Sequence, residues 1–488
     1  MKGQQNRHDM FISMMILWNH HFKMKKNAMR NKPVVIKLTK DNYNDYNLLD
    51  IVAISVASGG AMGDPGAIEI VTSKGKVFYA NPLYEDISTE QVFAACPILS
   101  EIELGIFGCV KKPVGWNSIY LGYGNHLILH DSISKQFQLG QKQRHEEIQN
   151  RLLYSVWMDI VLDCIDGKIY KNEIVDKIKG TLFGQAIGDA LGLGTEFMDK
   201  TEIAQKCPNG IKDYIDIYQD AHRRRWLVGE WTDDTDMMLC IANAIIEDKG
   251  VNLTHIAKNF KEWAEGEPMG IGLHTYKVLT IGDYVDKPFD VAKLIWEMSR
   301  RSSAANGGLM RTSVVGLLPK EVEKHAADIC RLTHFDPRCV GSCVIVSELI
   351  HSLVYKSQPL TFDQIIEIGN KYDERIQEYV YKAKDGTVDS LELPDEKSMG
   401  YTLKTLSAGL WAYWHSSTFE EGLLAIVNAG GDADTNAAVA CAILGAKFGY
   451  NTIPNDYVEG LIHLEELNKV VGGIISLAET TLPHNNNN

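Results

Sequence analysis

Two short acidic runs, far apart in the chain, carry the residue types best suited to chemistry. The first is Trp231-Thr232-Asp233-Asp234-Thr235-Asp236, and the second is Gly430-Gly431-Asp432-Ala433-Asp434-Thr435-Asn436. Apolar residues follow each: Met237-Met238-Leu239-Cys240-Ile241 after the first and Ala437-Ala438-Val439-Ala440 after the second. A carboxylate at a helix N-terminus suits the dipole, so either run alone is explained as a cap. Brought together, they gather Asp233, Asp234, Asp432 and Asp434 with no cationic residue inside either run. Crowded anions raise one another's pKa and cost stability. Hard divalent cations that prefer oxygen ligands remove that cost. The expectation is a carboxylate-and-threonine site for one or two Mg²⁺ or Mn²⁺ ions.

The elements that must hold these runs show as hydrophobic periodicity. In the first third of the chain the pattern is mixed. Pro33–Leu38, Ala67–Val71 and Val77–Ala80 are predicted strands, the last after a Lys74-Gly75-Lys76 turn. Ile119–Leu129 is predicted as one more strand, with internal glycines that signal a bulge or a close backbone approach. Within it, Gly122-Tyr123-Gly124-Asn125-His126 is taken as a turn or bulge rather than a ligand contact. A helix is predicted over His145–Ile165, and Gly167–Lys171 is predicted as the linker. Beyond it, helical spacing recurs in Ile174–Ile187, Asp236–Glu247, Ile256–Glu265, Pro288–Ser299, Cys339–Tyr355, Thr402–Trp414 and Thr435–Phe448. The expected chain is mainly α. It has a disordered leader over 1–31, an α+β domain over 32–170, an all-helical domain over 171–480 and a tail over 481–488.

Composition narrows the function classes. At 488 residues the chain exceeds one comfortable core, and 45% hydrophobic with 23% charged residues is globular. A net charge of −14 argues against a nucleic-acid surface or an anionic membrane as partner. Arg223-Arg224-Arg225 is the local exception and is taken as a solvated turn. Nine scattered cysteines without a paired spacing predict reduced thiols in a cytoplasmic protein. Phe11–Trp18 is far shorter than the ~20 residues of a membrane span. Met24 and Met29 offer alternative starts downstream of it.

Five motifs stand in order along the second part of the chain. They are Gly188-Asp189-Ala190-Leu191-Gly192 with Glu196 behind it, Trp231–Thr235, Asn306-Gly307-Gly308-Leu309-Met310-Arg311, Thr333-His334-Phe335-Asp336, and Gly431–Ala438. Together they resemble the motifs of the ADP-ribosylglycohydrolase family, from about Lys177 to Pro454. The resemblance implies an orthogonal helical bundle, two Mg²⁺ or Mn²⁺ ions and hydrolysis of the bond between ADP-ribose and an acceptor. Carried onto this sequence, it makes Thr232, Asp233, Asp234, Asp432, Asp434 and Thr435 the metal ligands. Glu196, Asp233 and Asp434 form the implied catalytic set, with Glu196 at the metal or acting as acid/base. Ser303, Asn306, Gly307 and Gly308 match the loop that holds diphosphate and ribose. His334 and Gly272 complete the binding set. The implied partner is an ADP-ribosylated protein or small-molecule conjugate, with residues 32–170 open to a second protein.

The chemistry agrees with that implication on its own terms. Breaking a ribosyl bond passes through an oxocarbenium-like state. A divalent ion orients sugar hydroxyls and lowers the pKa of water, and a glutamate supplies or accepts the proton. Small residues let backbone N–H groups approach a diphosphate. Around this set, Asp189 is expected to brace a helix turn and Asp236 to sit outside the ligand shell. Arg311 is expected to brace the glycine loop by a salt bridge. Gly270 stands where arginine-specific relatives commonly carry an aspartate, with Glu265 or Glu267 as substitutes, so the acceptor stays open between arginine, serine, a nucleobase and other conjugates. Two other readings compete: a non-catalytic or dual-role binding protein, such as an immunity protein against an ADP-ribosylating toxin, and a two-metal phosphatase.

Overall fold

The computed structural model describes residues 35–481 except 47, 49, 59–64, 83–86, 106–107, 123–124, 144–153, 166–167 and 357. The predicted leader, the tail beyond Thr481, Tyr123-Gly124 and the start of the predicted His145–Ile165 helix lie outside the described residues. The chain divides into two compact units at Asn172/Glu173.

The first unit is α+β. Its elements are β1 (Val35–Lys37), β2 (Ile51–Ser58), β3 (Pro65–Thr72), β4 (Val77–Ala80), α1 (Thr89–Ala95), β5 (Glu103–Gly105), β6 (Gly108–Lys111), β7 (Trp116–Gly122), β8 (Asn125–His130), α2 (Asp131–Gln143) and α3 (Tyr154–Ile165). Six strands form one sheet in the order β1-β4-β3-β2-β8-β7, in which only the β1–β4 pair is parallel. Side chains alternate across it with period two. Ile54, Val56, Ile70 and Ile128 bury one face with Val92 and Ala95 of α1. Ala53, Leu127 and Leu129 bury the other with Phe137 of α2 and Trp157 of α3. A bulge at Val52, where Ile51 pairs Thr72 and Ala53 pairs Val71, shifts the alternation at the start of β2. The predicted Ile119–Leu129 strand is a hairpin instead. β7 and β8 are antiparallel and Gly122 pairs with Asn125, so the chain reverses between them.

The second unit is a helical bundle. It comprises α4 (Lys168–Gly192), α5 (Lys200–Lys206), α6 (Asp233–Asp248), α7 (Leu253–Glu265), α8 (Leu273–Leu279), α9 (Pro288–Met298), α10 (Val322–Arg331), α11 (Pro337–Tyr355), α12 (Phe362–Tyr372), α13 (Arg375–Asp385), α14 (Thr402–His415), α15 (Phe419–Val427), α16 (Ala433–Phe448), α17 (Asn455–Glu459) and α18 (Leu464–Thr481). Each helix predicted from periodicity has its counterpart. Lys168–Lys171, predicted as linker, already belong to α4, because no Gly or Pro interrupts the run before Gly180. The centre is α16, buried at every position from Ala433 to Ala446 and packed on α11, α14 and α15. A helix apolar all round belongs inside. The same holds for α11, which is long and apolar enough to cross a membrane but is 78% buried over that stretch.

What lets two helices share this centre is the absence of side chains between them. Gly180, Gly184, Gly188 and Gly192 recur every fourth residue along one face of α4. A Cβ added at these four would stand 2.2–2.5 Å from backbone atoms of Gly445, Cys441, Ala437 and Ala433 respectively. The two backbones are in direct contact along antiparallel helices, and any branched residue there forces them apart. Gly184→Val is expected to destabilise by about 2–3 kcal/mol. Gly472→Ala, in α18 with nothing within 4 Å, should be neutral or stabilise by about 0.5–1 kcal/mol. Thermal melts of both variants check this pair, and equal effects would refute the close-contact account.

Candidate functional site

Three helix ends converge on one point. Asp189, in the last turn of α4 and fully buried, receives the N-terminus of α6. Its Oδ1 accepts from the backbone N–H and the hydroxyl of Thr232 (2.9 and 2.8 Å), and its Oδ2 accepts from those of Thr235 (2.9 and 2.7 Å). Those backbone donors would otherwise be orphaned at a helix start. Asp189 thus braces, as expected, the turn that carries Asp233 and Asp234.

The second acidic run arrives from α16. Gly430 and Gly431 both hold positive φ (77° and 76°), and a Cβ on either would strike backbone carbonyls at 2.4 and 2.3 Å. That conformation lets Gly431 pair with the strand-like edge at Met198, through Phe197 N–H to Gly431 O (2.6 Å) and Gly431 N–H to Met198 O (2.9 Å). The pairing carries Glu196 to Asp432 and Asp434, and the three present carboxylate oxygens within 4.8 Å of one another. Across the site, the Thr435 hydroxyl donates to Asp234 Oδ2 (3.3 Å) over a separation of 201 residues. Asn306 Nδ2 donates to Asp432 Oδ2 (2.7 Å) and to Thr405 Oγ1 (2.9 Å), and Thr405 in turn donates to Asn436 Oδ1 (2.8 Å).

Burial and mutual repulsion set the electrostatics. Burial first, then the charges of Asp189 and Glu196, push Asp233 up to about 7. Burial and neighbouring carboxylates hold Asp234 and Asp434 well above the ordinary carboxylate range, and Asp432 is raised too. Asp234 Oδ1 is buried with no hydrogen-bond partner. An all-oxygen donor set, repelling itself and with one buried anionic oxygen lacking a donor, fits a hard divalent cation.

These residues form one end of a cleft of about 900 Å³. Ser303, Asn306, Gly307, Gly272 and His334 line it as well. His274 donates from Nε2 to the Thr333 carbonyl (3.0 Å), so its Nδ1 accepts from the Ser303 hydroxyl (2.9 Å). Arg311 donates to Thr333 Oγ1 (2.5 Å), which meets His334 Nδ1 at 2.7 Å. The Thr333 hydroxyl accepts from the guanidinium and gives its own proton to Nδ1, so the neutral ring carries its proton on Nε2. Burial, then the charges of His274 and Arg311, keep His334 neutral, and that Nε2 has no partner among the described residues. A Cβ at Gly307 would stand 3.0 Å from His334 and 3.1 Å from Thr275 Oγ1, which is why the position is bare.

Residues 171–484 match the family model for ADP-ribosylglycohydrolase, well over half of the chain. The chain belongs to the ADP-ribosylglycohydrolase family. It is 25% identical to the ADP-ribosylarginine hydrolase Tri1 of Serratia proteamaculans, covering 64% of this chain and 82% of that one. It is 26% identical to the ADP-ribosyl-[dinitrogen reductase] glycohydrolase of Rhodospirillum rubrum, covering 62% and 97%. It is 20% identical to the ADP-ribosylhydrolase ARH3 of Gallus gallus, covering 62% and 93%. The family match spans the helical unit and leaves the α+β unit outside it.

Within this family framework several placements depart from expectation. Gly308 does not line the cleft; it packs under it, where a Cβ would meet Cys330 Sγ at 3.0 Å and His334 Cβ at 3.1 Å. Arg311 is fully buried and forms no salt bridge among the described residues. It lies over the Phe260 ring at 4.3 Å and bonds Thr333 and Met237 Sδ. Asp236, by contrast, lies outside the cleft as expected, accepting from the indoles of Trp231 (2.9 Å) and Trp263 (3.1 Å). Gly270 borders the site, since a Cβ there would sit 3.1 Å from Asp233 Oδ1, whereas Glu265 and Glu267 do not line it. Arg223–Arg225 do form a turn, but Arg223 is 3% exposed and Arg225 lines the cleft, so the turn is not simply solvated. His222 and this turn were missed because three adjacent arginines carry no motif; the signal was their place, just ahead of an acidic run.

The sign of the electrostatics is testable. A carboxylate whose folded pKa lies above its unfolded value costs stability progressively as pH rises through that window, here about 4 to about 7 for Asp233. With chelator present, Asp233→Asn is expected to raise Tm at pH 8 and to change it much less at pH 4. With Mg²⁺ or Mn²⁺ at pH 8, the unsubstituted protein should gain Tm and the variant should gain much less. Calorimetry that finds Asp233→Asn destabilising in chelator at pH 8 would refute this account.

Proposed function

We propose that the helical unit is a metal-dependent hydrolase that cleaves the glycosidic bond between ADP-ribose and an acceptor, reversing ADP-ribosylation. The observation that carries this is the meeting of the two acidic runs at Asp234–Thr435, in a cleft that Gly307 and His334 also line. Thr232, Asp233, Asp234, Asp432, Asp434 and Thr435 would hold one or two Mg²⁺ or Mn²⁺ ions, which supply positive charge to orient ribose hydroxyls and acidify water.

The chain's own residues do the rest. Gly307 lets the loop backbone lie against His334 and Thr275 in the cleft lining, and the neutral His334 offers a buried Nε2–H to a phosphate oxygen. Ser303, its proton committed to His274, presents lone pairs to a ribose hydroxyl. Glu196, beside Asp432 and Asp434, is placed to exchange the proton between water and the leaving group. Asp189 keeps the first turn of α6 from relaxing as charge develops in front of it. The activities for which the relatives are named support this bond class. They leave the acceptor open, and Gly270 beside Asp233 marks the position where acceptor chemistry is selected.

The test is release of free ADP-ribose from ADP-ribosylated arginine and serine peptides, with Mg²⁺, with Mn²⁺ and with chelator. Release is expected to need metal and to fall more than about 100-fold in an Asp432→Ala plus Asp434→Ala variant. Release that survives chelator or the double substitution would sink the proposal. Separately, Gly307→Ala should weaken ADP-ribose binding about tenfold, or 1.4 kcal/mol, by calorimetry. Unchanged affinity there would remove the glycine loop from the binding site.

A further inference from the structure

Glu196 is gripped twice by the loop ahead of the first acidic run. Asp220 Oδ1 accepts from the backbone N–H groups of His222 and Arg223, both at 3.0 Å, and so fixes the turn. The buried Arg223 then holds the backbone of the Glu196 loop. Its Nε donates to Gly194 O (3.0 Å), an Nη donates to Glu196 O, and its other Nη is anchored on Asp220 Oδ2 (2.6 Å). His222 holds the side chain: its Nε2 lies 2.6 Å from Glu196 Oε2.

The state of that imidazole follows from its other nitrogen. Arg225 Nη2 lies 2.7 Å from His222 Nδ1. A guanidinium only donates, so Nδ1 is the lone-pair nitrogen and the proton sits on Nε2, pointed at Glu196. Arg225 is itself held, by Met269 O (3.2 Å) and over the Trp226 ring (4.5 Å). The imidazole also meets Trp226 edge-on at 5.4 Å. The result is a one-way chain of donors, Arg225 to His222 to Glu196. One carboxylate oxygen is committed to it and the other is left for the reacting centre.

We propose that His222 is a positioning residue for Glu196, with Arg225 setting its tautomer. This rests on the proposed part of Glu196 in breaking the glycosidic bond. A carboxylate that must meet a water or leaving group within hydrogen-bond reach gains from a locked rotamer, since a small misplacement costs rate without costing affinity. Because Arg223 holds the loop backbone independently, removing the imidazole should free the carboxylate without unfolding the loop.

The experiment is steady-state ADP-ribose release by the full chain with Mg²⁺, on whichever linkage it cleaves. His222→Leu is expected to lower kcat by roughly tenfold or more with KM within about twofold. His222→Gln, which keeps an N–H donor near the Nε2 position, should recover most of the loss. Arg225→Met should lower kcat by a smaller factor in the same direction. In a Glu196→Gln background, His222→Leu should add little, because the group it positions has already gone. Melting curves within a few degrees of the unsubstituted protein separate these effects from misfolding. Full kcat in His222→Leu, or an undiminished further loss in the Glu196→Gln background, overturns the positioning role alone. An unsubstituted protein that releases no ADP-ribose overturns the hydrolase reading and this one with it.

Discussion

The backbone contact between α4 and α16 is the constraint on which the site depends. Gly180, Gly184, Gly188 and Gly192 lie directly on Gly445, Cys441, Ala437 and Ala433, so the helices touch with nothing larger than a small side chain between them. The contact is antiparallel. The C-terminal end of α4, with Asp189, therefore lands at the N-terminal end of α16, with Asp432 and Asp434. Asp189 in turn carries the start of α6. One helix pair thus sets the distance between two acidic runs that are remote in sequence, and the Thr435–Asp234 hydrogen bond closes the arrangement. Moving the helices apart by the width of a methyl group would open every one of these contacts.

That geometry concentrates negative charge where burial penalises it. Helix N-termini favour carboxylates, but by about 1 kcal/mol or less each, and screening reduces this further. The mutual repulsion and desolvation of Asp233, Asp234, Asp432 and Asp434 outweigh such a term, as their raised pKa values show. The fold spends stability at this point and recovers it in the surrounding core, where α11, α14 and α16 are buried along most of their length. An all-oxygen cluster of this kind suits a divalent cation, which would neutralise it. The same cleft is lined by two imidazoles that burial biases toward the neutral form, tilted at 45° with centroids 4.6 Å apart, and by the bare Gly307.

Much of this was legible in the residues. The helices announced themselves by 3.6-residue periodicity, and the two acidic runs by carboxylates ahead of apolar stretches. The ordered motifs indicated the family, and Asp189 was readable as a brace. Other features were not legible, for physical reasons. Glycines spaced by four on α4 are visible in the sequence, but whether they face a helix, a ligand or solvent depends on the partner. The Ile119–Leu129 run looked continuous because an apolar alternation survives a tight reversal. Arg311 invited a salt bridge, yet burial beside Phe260 and Thr333 satisfied it with a ring face and a hydroxyl. Arg223–Arg225 read as surface, yet Arg223 is turned inward by carbonyls at Gly194 and Glu196 that only the fold brings near.

The sequence by itself determined the local terms: which segments are helical and which residues have oxygen ligands to offer. These depend on neighbours within a few residues, and the chain carries them wherever it goes. The tertiary structure alone decided the terms that depend on distance between remote residues. It placed Asp234 on Thr435, Glu196 on Asp432, and His222 with its proton facing Glu196. It also decided which carboxylates are desolvated and how strongly they repel. Electrostatic energy falls with separation and rises with burial, and neither quantity exists until the helices have packed.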